Sequence, residues 1–214
     1  MTRPGPTPPE LARGLAALAI DATEAQCTKW LQHLAELRRW NRTYNLVAPG
    51  ELSQLLTRHL FDSLSLHPHV APGTLLDVGT GAGFPGLPLA ILRPDERTVL
   101  LDSAGKKVRF LRHVIRATGL DRVEAVHERI ERFSGGGEFR TITSRAFSSL
   151  VHFAESVRHL AGPETRLLAM KGQVPEDELD ALPAWAQVEA VTPLAVPGLE
   201  ADRHLVSLRL TPDE

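Results

Sequence analysis

Cysteine is almost absent: the 214 residues contain one, Cys27. A single thiol excludes an intrachain disulfide framework and any cysteine-based zinc cluster. Lysine is also scarce, at positions 29, 106, 107 and 171 only. No apolar run approaches the roughly 18 residues of a membrane span. The best N-terminal candidate, Leu11 to Ile20, is broken by Arg13 and follows Arg3-Pro4-Gly5-Pro6-Thr7-Pro8-Pro9, not a basic leader with a cleavage site. A cytoplasmic protein without a membrane segment is expected. There is no G-x-x-x-x-G-K-[ST] loop and no G-x-S-x-G elbow, which argues against a P-loop ATPase and an α/β-hydrolase. Only His67-Pro68-His69 brings histidines close together, without a helical i, i+4 pair, so no metal site is expected. Apolar residues at 43% and charged residues at 23% exclude collagen, coiled-coil rods and wholesale disorder.

Neither sign of charge dominates: 24 Lys and Arg face 26 Asp and Glu. The distribution is uneven. From Lys106 to Arg132 eight cations oppose four acids, a local +4, whereas Val174 to Asp202 holds seven acids and no Lys or Arg. Such a dipolar surface suits nucleic acid on one face, and equally suits two solvated faces of opposite sign. The Pro-rich residues 1–10 read as a flexible tail, 11–72 as a helical segment and 73–214 as a second unit. Trp30, Leu34, Leu37 and Asn41 follow one helix face, and a second helix carries Leu52, Leu55, Leu56, His59, Leu60, Ser63 and Leu64. Trp30, Trp40 and Tyr44 at this spacing read as core before they read as stacking platforms. From Thr74 short apolar strands alternate with helices. The strands are expected at Leu75–Gly79, Thr98–Asp102, Val123–His127, Thr141–Ser144, Arg166–Met170, Val188–Thr192 and His204–Leu210. Helices are expected near Pro85–Leu92, Ala104–Thr118 and Ser149–Leu160, with an irregular loop holding Ser134-Gly135-Gly136-Gly137. The alternation predicts an α/β fold with a mainly parallel sheet, and the last two strands a hairpin at its edge.

Chemistry concentrates in Leu75-Leu76-Asp77-Val78-Gly79-Thr80-Gly81-Ala82-Gly83-Phe84-Pro85-Gly86, where a strand runs into four glycines and then a helix. Gly81, Gly83 and Gly86 fit G-x-G-x-x-G, a spacing that lets backbone approach a ligand. Asp102 ends the next strand, where doubly wound folds place the carboxylate that binds ribose hydroxyls; its plainer role is a cap for the following helix. Asp77 suits ordering of the loop better than acid catalysis. A nicotinamide dinucleotide and S-adenosylmethionine both fit a glycine loop. The Asp-Val-Gly-Thr-Gly form favours the methyl donor.

The fourth strand ends in Ile142-Thr143-Ser144-Arg145-Ala146-Phe147 without the Asn/Asp-Pro-Pro-aromatic motif of exocyclic-amine methyltransferases. Cys27, far from that strand, argues against ring-carbon pyrimidine methylation. Four lysines fit a 2′-hydroxyl methyltransferase's Lys-Asp-Lys-Glu set poorly. A target with a free lone pair, such as a purine ring nitrogen, remains.

Seven stretches together resemble the RsmG (GidB) family, the 16S rRNA guanine-N7 methyltransferases. They are Trp40-Asn41-Arg42-Thr43-Tyr44-Asn45-Leu46, Arg58-His59-Leu60-Phe61-Asp62-Ser63-Leu64, the glycine loop, and Leu101-Asp102-Ser103 with Lys106-Lys107-Val108-Arg109-Phe110-Leu111. Ser144-Arg145-Ala146-Phe147, Met170-Lys171-Gly172-Gln173 and Arg203-His204-Leu205 complete the set. The resemblance spans about Trp30 to Leu210. It implies a class I S-adenosylmethionine-dependent methyltransferase fold (Rossmann-like, mainly parallel, seven strands) behind the helical segment. It implies methylation of the guanine at position 527 in the 530 loop, on 16S rRNA, an assembly intermediate or the 30S subunit, with S-adenosylhomocysteine as product. The expected assembly is a monomer. Carried over residue by residue, the donor site falls on Gly79, Phe84, Ile130, Glu131 and Arg145, beside Asp77, Gly81, Gly83, Asp102 and Ser103 from the loop and second strand. Phe84 stands where an aliphatic residue is frequent, and Ile130 could equally pack inward from a short helix.

Arg145 and Lys171 are the candidate catalytic residues. The Arg145 guanidinium suits a donor carboxylate or guanine O6; its plainer reading is a surface arginine paired with a nearby acid. Arg109, Arg112 and Arg116, with His113, share one helix face and with Arg203 and His204 are candidates for rRNA contact, or an ordinary solvated face. Three other classes stay open: a nicotinamide-dependent oxidoreductase, a non-catalytic RNA-binding module, and a methyltransferase of small molecules or proteins.

Overall fold

The structure, a computed structural model, describes residues 7–135, 138–145 and 147–211. Residues 1–6 of the expected tail, Gly136 and Gly137 of the glycine-rich loop, and Ala146 lie outside the described residues. The tail reading does not extend to residue 10, because helix α1 (Pro9–Ala17) already starts at Pro9 and buries Leu11 and Leu15. Proline at a first helical position costs no hydrogen bond, so Pro9 opens a helix where the sequence suggested fraying.

Helix α2 (Glu24–Tyr44) begins in a capping box: the Gln26 amide donates to Thr23 Oγ1 at 3.2 Å and Thr23 N donates to Gln26 Oε1 at 2.9 Å. It ends where the Asn41 carboxamide accepts from Leu46 N and Val47 N. Its buried stripe is the expected one with Cys27 and His33 added. Trp30 is fully buried and Trp40 leans on Phe110, so the core reading holds for both, while Tyr44 stays partly exposed. The second expected helix is broken into a 3₁₀ turn (Pro49–Gln54), a π-helical turn (Leu56–Phe61) and α3 (Asp62–Leu64). Side-chain hydroxyls of Ser63 and Ser65 donate back to the His59 and Asp62 carbonyls, so local bonds compete with the regular α ladder.

The sheet consists of β1 (Leu75–Val78), β2 (Thr98–Asp102), β3 (Val123–His127), β4 (Thr141–Ser144), β5 (Arg166–Lys171), β6 (Ala186–Pro193) and β7 (His204–Leu210). Its order is β3-β2-β1-β4-β5-β7-β6. The first five strands are parallel, and β7 and β6 complete it antiparallel, with β6 at the edge as the expected hairpin. Helices α4 (Gly86–Leu92), α5 (Gly105–Thr118) and α6 (Leu150–Val157) cover the faces. A short acidic helix, α7 (Glu176–Asp180), was not expected. On one face the N-terminal segment shares a continuous core with α4 and α5, joining Leu11, Trp30 and Leu37 to Leu87, Phe110 and Val114. On the other, Phe139, Ile142, Phe153 and Leu208 pack together. Strand order reverses between β1 and β4, which opens a crevice at the carboxyl ends of the parallel strands.

Candidate active site

The loop after β1 is braced from below by Asp77. This carboxylate is fully buried; its Oδ2 accepts from Gly86 N at 2.8 Å and from Thr80 Oγ1 at 2.6 Å. It lines neither cavity described below and orders the loop, the role its position in the sequence suits best. The expected donor contact of Gly83 is corrected. A Cβ on it would meet Leu87 Cδ1 at 2.4 Å, so its small size serves packing of α4. Gly81 is different: with φ +63 and only the Gly79 carbonyl at 3.9 Å, it faces open space. The Phe84 side chain does not reach the donor cleft either. It is 3% exposed and lies between His33 and His59, each with ring centroids 4.8 Å away. An aromatic ring is accommodated there because two imidazoles flank it.

A cleft of about 350 Å³ opens at the ends of β1, β2 and β3. Gly79, Asp102, Ser103, Ile130 and Glu131 all line it, so five of the expected donor residues meet in one place. Asp102 Oδ1 accepts from Ala104 N at 2.8 Å, the capping role, and Oδ2 accepts from Gly81 N at 2.9 Å, tying strand end to glycine loop. Lys107 Nζ stands 3.4 Å from Oδ2. Ile130 sits in a turn, not a short helix, and contributes both to the core and to the cleft wall. Phe147 and His152 close the other side. Apolar walls beside a carboxylate and hydroxyl are what a nucleoside requires: faces for the base and acceptors for ribose hydroxyls.

Arg145 is not in this cleft. It lines a second cavity of about 380 Å³ with Arg58, His59, Asp62, Lys171 and Arg203. Arg145 Nη1 donates to Asp62 Oδ2 at 2.7 Å, and Arg203 Nε donates to Asp62 Oδ1 at 2.9 Å. One buried carboxylate therefore clamps two guanidiniums, one following β4 and one preceding β7. The Arg145 guanidinium also lies 5.5 Å from the Phe84 ring centroid. The pairing with a nearby acid is thus present, at the mouth of a cavity. Lys171 is not free for a phosphate: its Nζ donates to Glu178 Oε2 at 2.7 Å and Oε1 at 3.0 Å. Glu178 comes from the unexpected α7, and the acidic stretch is partly consumed in this way. The two cavities adjoin, since Arg145 belongs to one, Phe147 to the other, and Lys171 Nζ reaches the Phe147 carbonyl at 3.5 Å.

Sequence reasoning assigned no role to His33, Glu51, His59 or Asp62. The Arg58–Leu64 stretch was the signal, but its side chains converge only through the π turn, a helix type concentrated at functional sites. The basic face of α5 is less available than expected. Arg112 Nε donates to the Ala125 carbonyl, Arg116 Nε to the Arg112 carbonyl, and Arg109 lies over Tyr44. None of the three lines either cavity. His204 Nδ1 stands 3.4 Å from the Gly172 carbonyl, outside the second cavity.

Burial moves three titrations in opposite senses. It raises Asp77 from 3.8 to about 7, against the hydrogen bonds from Thr80 and Gly86. It lowers His33 and His59 from 6.5 to about 4, Arg145 adding to the effect at His59. Between pH 4 and 6.5 the unfolded chain binds a proton at each histidine that the folded chain lacks, so both cost stability at low pH and the cost fades as pH rises. At Asp77 the folded chain holds the extra proton, so its contribution falls from about pH 4 to pH 7. Asp77→Asn is therefore expected to steepen the rise of stability with pH by about 1.4 kcal/mol per unit over pH 4.5–6.5. Urea unfolding across that range measures it; an unchanged slope would place an ionised Asp77 in the folded state.

With this geometry in hand, comparisons with known proteins converge. The family described as rRNA small subunit methyltransferase G (GidB) matches residues 26–206. A protein of Chromobacterium violaceum named ribosomal RNA small subunit methyltransferase G is 48% identical over 202 residues, covering 94% of this chain and 97% of that one. One of the same name from Pseudomonas aeruginosa strain UCBPP-PA14 is 50% identical over 203 residues, 94% of this chain and 95% of that one. Among solved structures, the glycopeptide N-methyltransferase MtfA complexed with S-adenosylmethionine superposes with TM-score 0.61 at 15% identity, over 72% of this chain and 94% of that one. A methyltransferase from Aquifex aeolicus gives 0.56 at 18% identity, over 83% and 98%. The fold is that of the class I S-adenosylmethionine-dependent methyltransferases.

Proposed function

Because the chain belongs to the GidB family of small-subunit rRNA methyltransferases, we propose that it transfers a methyl group from S-adenosylmethionine to N7 of the guanine at position 527 of 16S rRNA. The observation that carries this reading is the pair of adjoining cavities: one lined by Asp102, Glu128 and Glu131 with apolar walls at the ends of β1 to β3, one lined by clamped arginines at the ends of β4 and β5. The first suits a nucleoside-bearing donor and the second an unpaired base with its phosphates.

In the first cavity Asp102 would accept the ribose hydroxyls, Ile130 would pack against the adenine and Glu131 would face its edge. Bound there, the donor supplies an electrophilic methyl. Guanine N7 has an in-plane lone pair and no proton, so no side chain needs to act as a general base. The work of the protein is alignment. Arg145, held by Asp62 and backed by Phe84, has its rotamer set before substrate arrives, and its remaining donors can orient guanine O6. A fixed cation also opposes the positive charge that grows on the purine, so positioning must be the larger effect. An oxidoreductase would need nicotinamide in the first cavity, and the clamped arginines would then have no role.

Asp102→Ala is expected to weaken donor binding by about 1–3 kcal/mol, the scale of charge-assisted hydrogen bonds. Part of that loss reflects the released Gly81 amide. Calorimetry with S-adenosylhomocysteine checks it; unchanged affinity would leave Asp102 only its capping role. The function itself is tested by labelled methyl transfer to 30S subunits from a strain lacking the enzyme. Incorporation is expected, and NADH binding without S-adenosylhomocysteine binding would contradict the reading.

A further inference from the structure

Four cations line the second cavity, and three of them are already paired, Arg145 and Arg203 with Asp62 and Lys171 with Glu178. Among the described residues two carboxylates line it, Asp62 and Glu51. Asp62 is spent, with one oxygen on Arg145 and the other on Arg203. Glu51 is not. Its side chain is 37% exposed, and its ionic contact is Oε2 to His59 Nε2 at 3.4 Å. His59 is kept neutral at physiological pH, with its titration lowered to about 4 mainly by burial, so that contact does not cancel the Glu51 charge. The same imidazole packs on Phe84, and its Nδ1 stands 3.4 Å from Arg145 Nη2.

A cavity that receives RNA gains nothing from an unneutralised carboxylate facing phosphates. It gains from one facing N–H donors. Among the four bases only guanine presents two adjacent donors, N1–H and the N2 amino group, on its Watson–Crick edge. An ionised carboxylate is acceptor-only and takes two parallel donors bidentately. Adenine and cytosine place a ring-nitrogen acceptor on that edge, and uracil flanks its one donor with carbonyls; both patterns repel a carboxylate. Bases splayed from single-stranded loops are commonly read on this edge. The edge also lies on the far side of the purine from N7. A reader of guanine must therefore stand away from the donor, and Glu51 lies in the wall contributed by the N-terminal segment, outside the donor cleft.

We propose that Glu51 is the specificity-determining residue for guanine, its carboxylate accepting N1–H and the N2 amino group of the target base in the second cavity. This rests on the reading of that cavity as the acceptor site.

The test uses the full chain and 30S subunits reconstituted with 16S rRNA carrying either guanosine or inosine at the target position. Inosine lacks only the N2 amino group. Wild type is expected to prefer guanosine by about 10-fold or more in kcat/KM, the effect of one hydrogen bond to a charged group. Glu51→Ala should lose activity on guanosine by at least that factor and discriminate the two substrates by less than about 2-fold. Glu51→Gln, which can accept but not bidentately, should fall between. Affinity for S-adenosylhomocysteine and the melting temperature should be unchanged in both variants, which separates this role from a structural one. A guanosine-to-inosine ratio in Glu51→Ala equal to the wild-type ratio would overturn the proposal, as would a wild type indifferent to the amino group. Absence of methyl transfer by wild type to guanosine subunits would overturn the activity reading beneath it, and the inference with it.

Discussion

Arg145→Ala is expected to lower methyl transfer to 30S subunits by about 100-fold, with most of the loss in kcat. The magnitude corresponds to roughly 3 kcal/mol, the upper range for hydrogen bonds to a charged group. The fold should persist. Asp62 keeps Arg203 at 2.9 Å, so the stability cost stays below the roughly 3–5 kcal/mol of a fully orphaned buried charge. Arg145→Lys should be nearly as inactive, because an ammonium can hold Asp62 but cannot also present a planar fork to a base. The second-cavity position predicts that S-adenosylhomocysteine affinity is unchanged in both variants. A raised dissociation constant would instead put Arg145 on the donor. Lys171→Arg, whose charge is directed at Glu178, should keep substantial activity. Wild-type rates from Arg145→Ala would remove it from the site.

Gly81→Val is expected to abolish donor binding while leaving a folded chain. At φ +63 a β-branched residue is strained by about 1–2 kcal/mol, and relief of that strain would draw the Gly81 amide off Asp102. A Cβ at this position has only the Gly79 carbonyl nearby, at 3.9 Å, so the side chain starts into open space and not into the core. The contrast is Gly83→Val, which drives a side chain into Leu87 and Leu111 and should unfold the loop region. A dissociation constant for S-adenosylhomocysteine within about 3-fold of wild type in Gly81→Val would mean that the loop does not border the donor.

The centre of the sheet was legible because β1, β2 and β4 are buried on both faces. Leu75–Val78 and Thr98–Asp102 are continuous buried runs between turn signals, and four of seven strands have the expected boundaries. The helical segment was legible in α2, where apolar periodicity meets a capping box, and not beyond Pro49. There the leucine spacing fits an α-helix, but hydroxyl back-bonding and long-range ion pairs to Arg145 and Arg203 favour a π turn. No local pattern can encode partners that lie 83 and 141 residues away. The same limit governs the site. Asp102 and Ser103 sit at a strand end and could be placed from sequence. Phe84 and Gly83 share the motif but face the core, because a glycine loop has two sides and spacing does not tell which one meets ligand. Lys171 lies beside Arg145 as its strand position suggested, but its partner Glu178 sits on a five-residue helix too short for periodicity to reveal.

The central claim, N7 methylation at one guanine, is tested most directly by borohydride–aniline cleavage of 16S rRNA after reaction with 30S subunits from a strain lacking the enzyme. That chemistry breaks the chain only at N7-methylguanosine. The account predicts a single new enzyme-dependent break at position 527, present with wild type and S-adenosylmethionine and absent with Arg145→Ala. Incorporation of labelled methyl without a break there, or a break at another guanine, would contradict it.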